Sequence, residues 1–179
     1  MLKLTIEMKK FIGFVLLMVV FTLTSCYSFT GSSLSPETKT IKINDFINTT
    51  AYNPNLAQQF SIDIQNRFLQ RTTLKGTAEN PDILIEGEIV DYTISPTTIS
   101  SPVAGANNNV IQAAQNKLTM TVKVHYENKV EPNKSFDRSY TDESTFSSEL
   151  DFTSIEAAQV KIVNERIINK IFNDIVADW

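Results

Sequence analysis

Apolar positions along residues 40–178 follow two rhythms, one of period two and one of about four. Thr40-Ile-Lys-Ile-Asn-Asp-Phe46 alternates, which predicts a first strand with Ile41 and Ile43 facing inward. Leu56, Phe60, Ile64 and Phe68 then recur every fourth residue, with Leu69 beside them. That spacing predicts an amphipathic helix of about five turns ending near Thr72. Asn53-Pro54 suits its start, with Asn as the N-cap and Pro at the first helical position. Alternation returns at Ile83–Val90, where Ile83, Ile85 and Ile89 share one face and Glu86 and Glu88 the other. A third strand is predicted from Leu118 to about Val130, with Leu118, Met120, Val122, Val124 and Tyr126 on one side. Thr119, Thr121, Lys123 and His125 fall on its other side. Glu131-Pro132-Asn133-Lys134 is a turn, and residues 135–147 form a fourth, more polar strand. Phe136 and Tyr140 point inward near its start, and Phe146 joins them only if no bulge breaks the parity. Thr153-Ser-Ile-Glu156 has the form of a capping box. It opens a last helix to about Asp178, with Ile155, Val160, Val163, Ile167, Ile171 and Ile175 as a broad apolar stripe.

The order β-α-β-β-β-α predicts an α+β fold: a two-layer sandwich with a four-stranded sheet and both helices on one face. Residues 40–179 make a single domain without internal repeats. The opposite sheet face, carrying Lys42, Glu86, Glu88, Lys123 and His125, is left to water or a partner.

One segment resists both rhythms. Tyr92 to Asn116 contains no charged residue, although ordinary connections span about 4–6 residues. It is rich in hydroxyls and amides and carries dispersed apolar side chains. Such a stretch can be desolvated against a partner without burying unpaired charge. Read as a connection over residues 93–116, it offers Ile94, Thr97, Thr98, Ile99, Val103, Asn107, Asn108 and Asn109 as partner-binding residues. The alternative is a loose hairpin loop with a short helical stretch at Val110–Gln115.

The first 25 residues have a different character. Lys9-Lys10 precedes a run from Phe11 to Leu23 that is almost wholly apolar, followed by small residues. This is the order of a secretory signal, and the run falls short of the roughly 20 residues a membrane span requires. Met8 is an alternative initiator to Met1. Leu23-Thr24-Ser25-Cys26 resembles the bacterial lipobox, and Cys26 is the only cysteine in the chain. The resemblance implies cleavage before Cys26, a diacylglycerol on its thiol and an acyl group on its new amine. Several chains hold a protein at a membrane far better than one. Residues 26–39 are then a lipidated tether. Tyr27 follows the cysteine and no acidic residue appears before Glu37. By similarity to other bacterial lipoproteins, this favours the outer membrane, facing the periplasm.

Residues 1–25 carry a net +2, from Lys3, Lys9, Lys10 and Glu7. The remaining 154 residues therefore carry −6, from −4 for the whole chain. An acidic domain lacks the electrostatic footprint of general nucleic-acid binding. His125 is the one histidine, so no paired-histidine metal site and no Cys-His nucleophile can be assembled. Glu86 and Glu88 sit together on a polar strand face without a pocket partner, and no phosphate loop or nucleophile elbow occurs. The sequence predicts neither an enzyme nor a non-covalent cofactor.

Several segments together resemble the LptE-type lipopolysaccharide-assembly lipoproteins. They are Cys26–Gly31, Thr40–Phe46, Asn55–Phe60, Ile85–Tyr92 with Ser95–Thr98, Leu118–Val124 and Ile171–Trp179. Each is weak alone, but their order and spacing cover nearly the whole chain after Cys26. The resemblance implies two helices against a four-stranded sheet, at the periplasmic face of the outer membrane. It further implies a non-enzymatic plug that helps assemble an LptD-type β-barrel translocon and assists lipopolysaccharide transport to the outer leaflet. The alternative is a lipid-carrier or pilot lipoprotein for another outer-membrane machine. For lipopolysaccharide, the candidates are basic residues near the neutral segment or on the open sheet face, Lys117 and Lys123.

Overall fold

The computed structural model describes residues 34–102 and 110–176, with backbone alone at 98–102 and 110–113. Among the described residues six strands and two α-helices follow one another: β1 (Thr40–Ile43), β2 (Ile47–Asn48), α1 (Leu56–Arg71), β3 (Lys75–Gly76), β4 (Ile83–Pro102), β5 (Val110–Asn128), β6 (Phe136–Ser147) and α2 (Phe152–Val176). The sheet runs β3-β1-β4-β5-β6, and β2 pairs with β4 further along the same edge as β1. β1, β2 and β3 are joined in parallel pairs, while β4, β5 and β6 form an antiparallel meander.

The α+β class and the two helices are as expected, but the four-stranded sheet and its element order are not. Two-residue strands β2 and β3 are too short to show any alternation, and they add two strands to the count. Backbone bonds fix them, from Thr49 N–H to the Ile89 carbonyl (3.0 Å) and from Lys75 N–H to the Lys39 carbonyl (2.9 Å).

Both helices bury their apolar stripes against one sheet face, in a single core. Phe60, Ile64 and Phe68 of α1, Ile83, Ile85 and Ile89 of β4, Leu118, Met120, Val122, Val124 and Tyr126 of β5 and Val163, Ile167 and Ile171 of α2 are all buried there. Each such side chain contributes on the order of 1.5–3 kcal/mol. Phe136, Tyr140 and Phe146 lie on one face of β6, with continuous register to β5 and no bulge between them. The bulge occurs in β4 instead, between Ile89 and Asp91. Phe46 packs against Gly87, where an added Cβ would stand 2.6 Å from the ring and 2.3 Å from the Lys123 carbonyl oxygen. Glycine is required there by close approach.

The helix starts differ from expectation. Asn53 adopts φ 44°, a left-handed conformation that asparagine tolerates, and turns the chain three residues before α1 begins. Its side chain bonds Glu156 rather than capping α1. At α2 the Asp151 carboxylate and carbonyl receive Thr153 N–H and the Ser154 hydroxyl. Glu156, freed from a capping box, accepts Tyr92 Oη–H at 2.9 Å and Asn53 Nδ2–H at 3.0 Å. One carboxylate thus ties β4, the start of α1 and the start of α2. At the other end of α2, Asp174 accepts the Tyr140 hydroxyl (2.8 Å) and pairs with Arg138.

Candidate partner-binding surface

The neutral segment is mostly strand. β4 and β5 pair without a break, apart from the one bulge, from Ile83↔Asn128 to Pro102↔Val110. Residues 93–102 and 110–116 therefore belong to a long β-ribbon, correcting the reading of 93–116 as a connection and of Val110–Gln115 as helical. Both faces of this stretch are uncharged, so no period-two contrast marks it. Its many Thr, Val and Ile residues nevertheless favour extended backbone. β2 leaves the β4 edge at Ile89, and β6 leaves β5 at Gln115↔Ser147. Beyond those points, from Thr98↔Ala114 to Pro102↔Val110, the ribbon is two-stranded. Its base is fastened by Ser148, whose N–H (3.3 Å) and hydroxyl (3.0 Å) both donate to the Ala114 carbonyl.

Ile94 and Thr97 stand at that base. Ile94 shares the helix-side face with buried Tyr92 and pairs with buried Leu118, yet it is 43% exposed. Thr97 pairs with Gln115 and lies half-buried on the opposite face. The backbones of Thr98 and Ile99 continue the ribbon opposite Ala114 and Ala113. Val103, Asn107, Asn108, Asn109 and Cys26 lie outside the described residues.

On the open face, cross-strand register sets side chains in rows. Toward the ribbon the rows are Asp91-Thr121-Thr141, Thr93-Thr119-Glu143, Ser95-Lys117-Thr145 and Thr97-Gln115-Ser147. Thr121 and Thr141 hydroxyls bond at 2.9 Å. Toward β1 the rows turn ionic, as Glu88-Lys123-Ser139 and Glu86-His125-Asp137. The face thus grades from hydroxyl-rich at the ribbon end to charged at the end where β1 begins. The alternation of β5 foretold its own outward Thr pair; the matching hydroxyls on β4 and β6 depend on register, which the sequence did not disclose.

Lys117 and Lys123 share this face but do not form one cluster. Six residues of strand separate them by roughly 20 Å. Lys117 Nζ is 2.9 Å from Glu143, and Lys123 Nζ is 3.6 Å from Glu88. His125 Nδ1 is 2.7 Å from the Asp137 carboxylate. That bond raises the imidazole's pKa above its ordinary value against the opposing effect of burial, and Asp137, Glu86 and Glu127 add to the rise through their charge. Around His125 the face dips into an open depression of about 640 Å³, with Asn44, Glu86, Glu88, Lys123 and Asp137 among its walls. Among the described residues no group of three or more His, Cys, Asp or Glu side chains could hold a metal ion. Nor is any described helix long and apolar enough to cross a membrane.

A family model described as LptE, lipopolysaccharide-assembly, matches residues 38–178. A search of curated proteins gives no match. Among solved structures, a minor lipoprotein from Acinetobacter baumannii is similar at 13% identity and TM-score 0.44, over 77% of this chain and 92% of that one. A hypothetical protein from Chlamydia trachomatis is similar at 10% identity and TM-score 0.49, over 78% and 99%. An uncharacterized lipoprotein B from Nitrosomonas europaea is similar at 15% identity and TM-score 0.41, over 77% and 85%.

Proposed function

The chain belongs to the LptE lipopolysaccharide-assembly family, and from that premise we propose that it is the lipid-anchored, non-enzymatic partner of an LptD-type β-barrel in the outer membrane. In this reading Cys26 carries the lipid, residues 26–39 tether the domain, and the domain faces the periplasm. The domain seats in the barrel as a plug, assists the barrel's assembly, and so assists lipopolysaccharide transport to the outer leaflet.

The observation that supports this reading best is the uncharged ribbon with its hydroxyl-rich base. Large barrels have polar interiors that accept hydroxyls and amides, whereas an unpaired charge would be costly to desolvate there. Over the last two rows before the two-stranded ribbon, Ser95-Lys117-Thr145 and Thr97-Gln115-Ser147, the one charge is Lys117, and Glu143 neutralises it. The lipid-carrier alternative calls for an enclosed apolar cavity, while the depression on the sheet face is open and walled by charged groups. Affinity capture of the tagged full chain from detergent-solubilised membranes tests the proposal. An outer-membrane β-barrel recovered in stoichiometric amount is expected. Recovery of a different machine without a barrel would overturn the reading.

A further inference from the structure

The sheet ends on one side at β6, and among the described residues no strand pairs with its outer edge. An edge of this kind presents free N–H and C=O groups to any passing strand. Here, at its centre, three of those groups are already taken by side chains. Arg166 donates to the Glu143 carbonyl at 2.7 Å, and Lys170 Nζ donates to the Thr141 carbonyl at 2.6 Å. Glu143 N–H donates to Asp142 Oδ1 at 2.8 Å. Asp142 points toward the helix side with only 14% of its side chain exposed, and it holds both cations, at 2.9 Å for Lys170 and 3.5 Å for Arg166. Arg166 and Lys170 are one helical turn apart on α2, so a single face of that helix supplies both donors.

We infer that Arg166, Lys170 and Asp142 form a guard that closes the β6 edge, and that the strand it excludes is β6 of a second copy of this chain. The geometry of self-pairing supports that occupant. An antiparallel two-fold centred on Asp142 sets Thr141 opposite Glu143 of the second copy, so the groups that would exchange bonds across the two-fold include the three now taken by the guard. It would also bring two Asp142 carboxylates together, and like charges directly opposite each other are destabilising. The guard therefore acts twice, by filling the hydrogen-bonding groups and by placing an acid at the symmetry point. The inference concerns the domain's own solubility as a single copy and stands apart from the barrel reading.

The test removes both cations and the charge of Asp142, so no carboxylate is left unpaired. The full chain carrying Asp142→Asn, Arg166→Ala and Lys170→Ala is compared with the wild type in detergent by size-exclusion chromatography with light scattering. The expected result is a wild-type protein of constant mass and a variant whose protein mass doubles as concentration rises tenfold. A variant with native far-UV circular dichroism and constant monomer mass would overturn the inference. Where the triple variant loses its circular dichroism, Lys170→Ala alone is read, since the Lys170 side chain is half exposed. Its mass should rise at the highest concentration and return to monomer in Lys170→Arg. A mass identical to wild type throughout would equally defeat the proposal.

Discussion

Glu156→Ala should cost the domain about 2–4 kcal/mol, and that loss should not add in full to the cost of changing Tyr92. Tyr92 is only 3% exposed, and its hydroxyl donates to Glu156 at 2.9 Å. Removing the carboxylate strands that hydroxyl, which costs about 1–3 kcal/mol, and also forfeits the Asn53 bond, about 1 kcal/mol. Tyr92→Phe removes the hydroxyl together with its need for a partner, so it should cost about 1 kcal/mol. In the double variant no buried group is left unpaired, so the two losses should fall short of additive by about 1 kcal/mol or more. Urea unfolding measures this. With a slope of about 2 kcal/mol per molar for a domain of this size, Glu156→Ala lowers the midpoint by about 1–2 M. Burial and the Glu156 bond both raise the Tyr92 pKa, in accord with a hydroxyl held in its protonated form as a donor. Strict additivity of the two substitutions, or a loss below about 0.5 kcal/mol for Glu156→Ala, would refute the pin between the helix layer and the ribbon base.

Further outcomes follow from the same structure. His125, the only histidine, should titrate by NMR above its ordinary 6.5, and Asp137→Asn should bring the midpoint back down. Because its folded-state pKa is raised, its contribution to stability is complete below pH 6.5 and is lost as pH rises through the folded-state pKa. The effect should be small, since both partners are well exposed. Asp82 behaves in the opposite sense. Lys39 N–H, the Thr40 hydroxyl and Thr40 N–H hold its carboxyl below the usual range, so its contribution is present above pH 3.8 and fades as pH falls through the lowered value. Acid unfolding of Asp82→Asn should lack that component. Gly87→Ala should lower the urea-unfolding stability by about 1–3 kcal/mol through its collision with the Lys123 carbonyl and the Phe46 ring. Cys26→Ser should fold with an unchanged thermal melt but leave the membrane fraction; retention there would make the anchor redundant.

The parts of the fold legible in the sequence were those with contrast between two faces. Leu56, Phe60, Ile64 and Phe68 stand against polar neighbours, so α1 was visible from its core face. The Leu118–Tyr126 alternation marked β5 in the same way, and the parity of Phe136, Tyr140 and Phe146 held without a bulge. Contrast failed in two places. β2 and β3 span two residues each, below one period of any pattern. The ribbon has polar neutral residues on both faces, so its strands carry no stripe. Capping signals misled for a local reason: Asn53 and Glu156 suit caps by type, but tertiary structure brings them together and gives them to each other and to Tyr92. At the candidate surface, the neutrality of Tyr92–Asn116 was plain from the residues. That it forms a ribbon whose base continues into a hydroxyl-rich face emerged only from cross-strand register. The guard on β6 was equally hidden, since Asp142, Arg166 and Lys170 reveal nothing until α2 lies along that edge.

If the neutral ribbon is the partner-facing part of the chain, shortening it should release the barrel. Replacing residues 99–113 with an Asn-Gly turn keeps β4, β5 and β6 paired through Thr98 and Ala114. The measurement is the amount of outer-membrane β-barrel that co-purifies with the tagged full chain, set beside the thermal melt of the same protein. The expected result is at least a tenfold loss of barrel with a melt within a few degrees of wild type. Undiminished recovery of the barrel by a shortened chain that melts normally would contradict it.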